Sequence, residues 1–526
     1  MCGFVGFVGG TDNQSEVLTK MMDRIVHRGP DMGGQFIDGR VALGFRRLSI
    51  LDLTEAGAQP MANEDGSVVI VFNGEIYNFQ ELRSELEAKG YKFHCGADTE
   101  SLLHGYEEWG EAVLDRLRGM YAFVIWDKKK NKLFGARDIF GIKPLYYYPM
   151  ADAGDGAPGV LFGSEIKSFL DYPHFHKAVN KKALRPYMTL QYSATEETFF
   201  EGVYKLPPAH YFTVDIPTGK MNIERYWDCD YSAVEKPFEE YVDELDEVVH
   251  ESVEAHRIAD VKVASFLSGG VDSSYIAACL MPDKTFSVGF DYKNFNETNY
   301  AKELSDKLGV ENVRKMITAD EFFGALEDIQ YHMDEPQSNL SSVPLWFLAE
   351  MARKDVTVVL SGEGADELFG GYAYYETKQV GIYDVDAQKS LAVWEPETPG
   401  NYFGGALLDG DAAILALQLD YTNAYPAQFA AMYFGGSQRS LVEFTGELQW
   451  LLPFSGKEAL ASYRTDGGAF GVYRLSADGC TDALLLQAAD SFYCIQGSDN
   501  DCFHPSVTEI PEPVRSGSPL LLQVLI

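Results

Sequence analysis

A short apolar run at residues 261–267 ends abruptly in Ser268-Gly269-Gly270-Val271-Asp272-Ser273-Ser274, and helical spacing resumes from there to Cys279. No other stretch restricts the fold so strongly. A strand that turns on two glycines straight into a helix opens a βαβ unit. Further segments continue the pattern: a strand at 285–290, helices at 299–308 and 321–332, and a strand at 356–360. Strands alternating with helices predict an α/β, doubly wound parallel sheet. The loop offers an anion cradle of backbone and hydroxyl donors at a helix N-terminus. It is not a Walker A loop, because the lysine of that motif is absent. Asp272 puts a carboxylate beside the cradle, where Mg2+ could bridge it to phosphates. The plainer reading is a glycine-containing turn capped by serine.

The chain before this unit reads differently. Residues 1 to about 210 carry short apolar runs of strand character at 4–8, 68–72, 122–126 and 145–148, some bounded by turn formers such as Asn73-Gly74 and Asp65-Gly66. Helical patterns at 15–27 and at 78–89, the second ending at Gly90, interrupt them. The prediction is a strand-rich α+β domain. Residues 236–256 show helical periodicity and lead into the parallel unit. Beyond about residue 378, charge thins to six basic and eighteen acidic residues in 148, and helical periodicity is hard to find. Three domains follow: 1–228, 229–378 and a divergent segment of uncertain fold at 379–526.

Cys2 precedes a small residue, Gly3, so removal of Met1 would leave it at the N-terminus. An N-terminal cysteine carries its own base, since an α-amine titrating at about 7.7–8 can take the thiol proton. A cysteine at position 2 is usually an accident, but its company is suggestive. Asn73 and Gly74 could supply an amide and a backbone N–H to an oxyanion, although an Asn-Gly pair is also a common turn. Arg47 has a fork that matches a carboxylate, or it is a surface arginine. Asp98 could hold an α-ammonium, cap a helix, or do both.

The order of motifs then becomes telling. Met1-Cys2-Gly3, His27-Arg28-Gly29-Pro30-Asp31, Arg47-Leu48-Ser49-Ile50, Asn73-Gly74-Glu75-Ile76-Tyr77-Asn78, Arg137-Asp138 with Gly141-Ile142-Lys143-Pro144-Leu145-Tyr146, and Ser164-Glu165-Ile166-Lys167 resemble the class II glutamine amidotransferase domain. With the loop at 268–274, the whole chain resembles the glutamine-hydrolysing asparagine synthetases. That resemblance implies an N-terminal-nucleophile hydrolase fold, with two antiparallel sheets between helices, followed by an ATP-pyrophosphatase-type domain. It implies that Cys2 attacks the glutamine amide, that Asn73 and Gly74 hold the oxyanion, and that Arg47, Glu75 and Asp98 bind the amino-acid end of glutamine. Leu48, Ser49, Ile50 and Leu51 would line that wall, and residues 27–30 would position the nucleophile. ATP would meet Leu267, Ser268, Gly269, Gly270, Asp272, Ser273, Ser274 and Val288, together with Ser361 and Gly362 of Ser361-Gly362-Glu363-Gly364-Ala365-Asp366-Glu367. Glu363 would support aspartate activation or attack by ammonia, and Asp272 and Asp366 would bind Mg2+. Asp334-Glu335-Pro336 and Phe369-Gly370-Gly371-Tyr372 also fit the pattern, without a role. The implied reaction forms an aspartyl-adenylate from ATP, releasing pyrophosphate, and ammonia released at Cys2 travels through the protein to displace AMP.

The resemblance fades after about Tyr375. The family continues with Arg-Val-Pro-Phe-Leu-Asp and a later lysine near the phosphates. This chain offers only Leu452-Pro453-Phe454-Ser455, with Lys457 as the nearest lysine. Two alternatives therefore stay open: a glutaminase with an impaired or redirected synthetase half, and a non-catalytic binding protein that keeps the fold.

Composition narrows the partners. The 79 acidic and 43 basic residues of this 526-residue chain leave a formal charge of −36. Such a surface repels phosphate backbones and anionic lipid, so nucleic acid and membrane are not expected. The seven cysteines are scattered without a CxxC pair, and no convincing signal peptide or spanning segment is found, so a cytoplasmic protein is expected. The resemblance adds a homodimer.

Overall fold

The computed structural model describes residues 2–190, 195–229, 234, 236–290 and 296–369, and the strands alone between 380 and 486. It divides into two compact units, Met1–Glu363 and Gly364–Ile526.

The first part of the first unit is built on twelve strands: β1 (Gly3–Val8), β2 (Met32–Asp38), β3 (Val41–Arg47), β4 (Met61–Ala62), β5 (Val68–Ile76), β6 (Gly119–Asp127), β7 (Lys132–Arg137), β8 (Tyr146–Met150), β9 (Gly159–Gly163), β10 (Tyr204–Lys205), β11 (His210–Asp215) and β12 (Met221–Arg225). They form two antiparallel sheets, in the orders β10-β8-β9-β1-β3-β2 and β12-β11-β7-β6-β5-β4. Helices α1 (Gln14–Asp23), α2 (Phe79–Ala88), α3 (Asp98–Trp109) and α4 (Lys181–Leu190) accompany them.

Alternation along the strands sets the layers. On β5, Val69 and Val71 face the first sheet and meet Phe4, Leu43 and Phe45. Ile70 and Phe72 face the other way and meet Leu82 of α2 and Leu102, Leu103 and Tyr106 of α3. On β1, Phe4 and Val8 point to the second sheet, while Val5 and Phe7 pack under Leu18, Met21 and Met22 of α1. The result is helix, sheet, sheet, helix, the two-sheet fold expected.

Two local readings change. The Asn73-Gly74 pair does not end its strand. The ladder with β6 runs on through Asn73↔Ala122, Gly74↔Tyr121 and Ile76↔Gly119, and long-range pairing overrides the local turn preference. Helix α1 stops at Asp23, short of His27. Gly29 lies against β3, where a Cβ would stand 2.2 Å from Arg46 C and O, and the chain leaves the helix to reach that contact.

The second part of this unit begins with α5 (Phe238–His256) and continues as β13 (Val263–Phe266), α6 (Val271–Leu280), β14 (Lys284–Phe290), α7 (Thr298–Leu308), β15 (Glu311–Ile317), α8 (Ala319–Met333), α9 (Ser342–Ala352) and β16 (Val358–Leu360). The sheet is parallel, in the order β15-β14-β13-β16. Its helices lie on both faces. Ser305 of α7 bonds Thr285 on one face (3.0 Å), and Phe286 meets Ala352 of α9 on the other. Strand β15 and helix α9 lay outside the segments read from sequence. The order reverses between β13 and β16, and in such sheets ligands bind beyond the strand C-termini at that switch.

The second unit opens with α10 (Ala365–Phe369). Among the described residues it then carries ten strands: β17 (Val380–Asp384), β18 (Lys389–Trp394), β19 (Asn401–Leu407), β20 (Ala412–Gln418), β21 (Pro426–Tyr433), β22 (Gln438–Thr445), β23 (Glu447–Ser455), β24 (Glu458–Arg464), β25 (Phe470–Ser476) and β26 (Gly479–Leu486). They pair antiparallel as β17-β18, β19-β20-β21-β22 and β23-β24-β25-β26. The faded helical periodicity of the tail thus corresponds to strands. Among the described residues, no helix is long and apolar enough to cross a membrane.

Candidate active sites

Cys2 immediately precedes β1, and its half-buried thiol lies against the β3 exit. The Leu48 N–H donates to Sγ at 3.3 Å, and Sγ stands 3.4 Å from Leu48 O. Burial pushes the thiol pKa up, with the Leu48 contact working against it. Met1 lies outside the described residues. From below, Arg28 Nε donates to Cys2 O at 2.9 Å, and the Arg28 stem fills the space over Gly3 that a Cβ would occupy.

One cavity collects Cys2, Arg47, Leu48, Ile50, Leu51, Gly74, Glu75 and Asp98. The sequence did not indicate its other lining residues: Gly57, Gln59, Phe72, Ala97 and Thr99. Gln59 braces the wall, accepting from Phe72 N at 2.7 Å and donating to Thr99 Oγ1 at 3.1 Å. Asn73 is not itself a lining residue but stands between two that are, Phe72 and Gly74; it is 1% exposed, and among the described residues its Nδ2 has no hydrogen-bond partner. Buried amide donors are almost always paired, so an unpaired one between two residues that line the cavity, Phe72 and Gly74, is exceptional. Gly74 is required sterically, since a Cβ there would stand 2.3 Å from Met120 O.

Arg47 is a buried arginine rather than a surface one. Its Nη1 donates to Thr54 O (2.7 Å) and its Nη2 to Leu51 O (3.1 Å) and Asp52 O (2.5 Å). Much of its fork therefore shapes the 51–54 loop. Ser49 does not line the cavity. Its N–H donates to Asp31 Oδ2 at 2.8 Å. Asp98 is the first residue of α3 rather than its cap, a position held by Ala97, and it accepts from Ile76 N at 2.8 Å.

Glu75 and Asp98 form the electrostatic heart of the cavity. Burial, then the charge of Asp98, raises the Glu75 carboxyl pKa, and Lys143 opposes the rise. Burial pushes Asp98 up to about 6 despite its backbone hydrogen bonds. Lys143 is itself brought down to about 8 by burial and by the charge of Arg28. It is placed by the Arg137-Asp138 motif: Asp138 accepts from the N–H groups of Phe140, Ile142 and Lys143, and Arg137 Nε donates to Lys143 O at 2.8 Å. A cation between the two carboxylates would favour ionisation of both. If that cation is an α-ammonium, acid titration removes its partners. Apparent KM for glutamine is then expected to rise about tenfold per unit below about pH 6, with kcat less affected. Glutamate release measured from about pH 5 to 8 checks this, and a flat KM would contradict it.

The second site lies at the switch between β13 and β16. Gly270 is the N-cap of α6, Gly269 takes φ +99°, and Ser268 Oγ and Ser273 Oγ bond each other at 2.9 Å. The Ser361-Gly362 loop closes on this cradle so tightly that a Cβ on Gly362 would meet Ser273 N at 2.7 Å. Leu267 is buried behind the loop, Val288 lies on β14, and Asp272 and Ser274 are in the first turn of α6. Glu363 is exposed at the end of its loop, while Asp366 belongs to α10. Gly370–Tyr372 and Lys457 lie outside the described residues, and residues 452–455 are part of β23. Gly362→Val is expected to cut ATP-dependent pyrophosphate release at least about tenfold while leaving the glutamate release measured without ATP and aspartate intact, because it wedges the two loops apart. Parallel product assays check it.

A family model described as a glutamine amidotransferase domain matches residues 1–227, and one described as asparagine synthase matches residues 244–400. A protein named asparagine synthetase [glutamine-hydrolyzing] 1 from Bacillus subtilis is 45% identical over 384 residues, which is 71% of this chain and 59% of that one. A putative asparagine synthetase [glutamine-hydrolyzing] 2 from Methanocaldococcus jannaschii is 34% identical over 71% of this chain and 76% of its own length. A protein named amidase chry2 from Gibberella zeae is 30% identical over 86% and 70%. The chain spans about three fifths of the length of the first of these relatives.

Proposed function

We propose that this chain, which belongs to the family of glutamine-hydrolysing asparagine synthetases, releases ammonia from glutamine at Cys2 and uses ATP to amidate aspartate. The single observation that carries the first half is the unpartnered, buried Asn73 Nδ2 beside a cavity lined by Cys2 and Gly74. Glutamine enters with its α-ammonium between Glu75 and Asp98 and its amide carbonyl toward Asn73 and the Gly74 N–H. The free space is about 30 Å3, room for a water or two, so the wall of residues 48–51 gives way on binding. The Cys2 α-amine takes the thiol proton, sulfur adds to the amide carbon, and ammonia leaves. Water then releases glutamate from the thioester.

In the second half the residues present fit a magnesium nucleotide: a left-handed glycine, a helix N-terminus, paired hydroxyls and a second glycine loop closed on the first. Asp272 would hold Mg2+, with Asp366 assigned to it by the motif, and the ion supplies charge neutralisation on the departing pyrophosphate. Ser268, Gly269, Gly270, Ser273 and Ser274 would hold the phosphates, Leu267, Val288, Ser361 and Gly362 the nucleoside side, and Glu363 the aspartate step. A cytoplasmic homodimer completes the proposal.

The test is product analysis with the full chain. AMP and pyrophosphate should appear only when ATP, aspartate and a nitrogen donor are all present, with asparagine in equal amount. Glutamate without pyrophosphate would leave a glutaminase alone and defeat the synthetase half.

A further inference from the structure

Three sequence motifs lie outside the lining of the Cys2 cavity and outside the glycine cradle: His27-Arg28, Glu165-Ile166-Lys167 and Asp334-Glu335. The fold brings them together. Arg28, whose Nε holds Cys2 O, donates through Nη1 to Glu165 Oε1 at 2.9 Å. Glu165 Oε2 accepts from Lys167 Nζ at 2.5 Å, and Lys167 Nζ pairs with Asp334 Oδ1 at 2.8 Å. Asp334 Oδ2 accepts from Ile166 N at 2.6 Å. These four side chains are between 3% and 10% exposed. Asp334 terminates α8 at φ +63°, and α8 packs Ala325 and Ile329 into the cluster that holds Val288 of β14. An alternating series of charges thus runs from the nucleophile's carbonyl to the helix behind the nucleotide wall.

A purely adhesive contact between the two domains would not need this. Buried ion pairs can usually be exchanged for apolar residues without loss of stability, whereas breaking one partner is costly. What such a series provides is a fixed geometry, in which displacing one member displaces the next. The series also has an unmet member: Arg28 Nη2 is buried and has no partner among the described residues. A static clamp would gain nothing from an idle buried donor, but an element with a second arrangement would.

We propose that Arg28, Glu165, Lys167 and Asp334 are positioning residues that couple the two sites, so that occupancy of the ATP and aspartate site sets the rate at which Cys2 consumes glutamine. The inference rests on the two-site reading above. Coupling of this kind is worth about 5- to 150-fold where it has been measured.

The experiment compares the full chain with Lys167→Met and Asp334→Asn. Glutamate and pyrophosphate are assayed together, with and without ATP and aspartate, and ammonia-dependent pyrophosphate release is followed in the same samples. In the unmodified chain, ATP with aspartate should raise glutamate release. In each variant that stimulation should fall at least about fivefold, and the glutamate-to-pyrophosphate ratio should shift by a similar factor. Ammonia-dependent synthesis should stay within about twofold. A ratio does not depend on how much of a sample is folded, so partial misfolding does not mimic the effect. Asp334→Asn keeps an acceptor for Ile166 N and serves if Lys167→Met does not fold. An unchanged ratio in a folded variant, or an unmodified chain whose glutamate release ignores ATP and aspartate, overturns the inference. Absence of pyrophosphate from the unmodified chain would instead defeat the two-site reading.

Discussion

Cys2→Ala is expected to lower glutamine-dependent glutamate release by about 10^4-fold or more, the scale on which loss of a covalent nucleophile is felt. The same variant should make pyrophosphate from ammonia within about twofold of the unmodified chain. The thiol is the reacting group that touches both the Leu48 backbone and the cavity holding Glu75 and Asp98. Its burial keeps it protonated near neutrality, so it works only with a base at hand, and its own α-amine is the nearest base the covalent structure supplies. Alanine removes the sulfur and leaves the strand, because β1 is held by its ladder with β3 from Gly3 onward. Glutamate and pyrophosphate assays on one preparation check both halves. Surviving glutamate release would exclude Cys2 as nucleophile, and loss of ammonia-dependent synthesis would deny the division into two sites. Mass spectrometry provides a companion observation: a retained Met1 would block the α-amine from serving as base.

Asn73→Ala is expected to reduce kcat for glutamine by about 10^2- to 10^3-fold with little change in KM, the usual result when one oxyanion donor is removed. The split follows from where Asn73 stands. The amino-acid end of glutamine is assigned to Glu75 and Asp98, so ground-state binding survives. The buried Nδ2 has no partner among the described residues, and in the proposed reaction it gains one when negative charge develops on the amide oxygen. The fold tolerates the change, since removing an unpaired donor from an otherwise paired strand takes away a burial cost. A steady-state comparison checks it. A large rise in KM with kcat preserved would make Asn73 a binding residue instead.

The two smaller effects described above concern other groups. The acid rise in KM tests Glu75 and Asp98, and the Gly362→Val variant tests the closure of the two loops proposed to hold ATP.

Much of this was legible in the sequence because the chemistry sits in contiguous segments. Cys2-Gly3, Asn73-Gly74-Glu75 and the run from Ser268 to Ser274 each name their donors within a few residues. Spacing and hydrophobic alternation, which are local properties, gave a strand-rich α+β domain and the parallel unit, while the two sheets were implied by the family resemblance. Locality also explains the misses. Asn73-Gly74 has the composition of a turn, and only its pairing with Ala122 and Tyr121, nearly fifty residues away, makes it strand. Arg47 reads as a free fork for a carboxylate, yet the 51–54 loop folds back onto most of its donors.

By itself, then, the sequence determined which groups can react, since a cysteine at position 2, a glycine cradle and their flanking periodicities need no partner to be recognised. Tertiary structure alone decided which groups share an environment. Whether Asn73 Nδ2 is paired, how far Asp98 is raised, and that Arg28, Glu165, Lys167 and Asp334 meet across more than a hundred residues all depend on burial and on distances set by packed sheets. Hydrogen bonding and charge interactions fall away over a few ångströms, and chain order carries no information on that scale until the layers close.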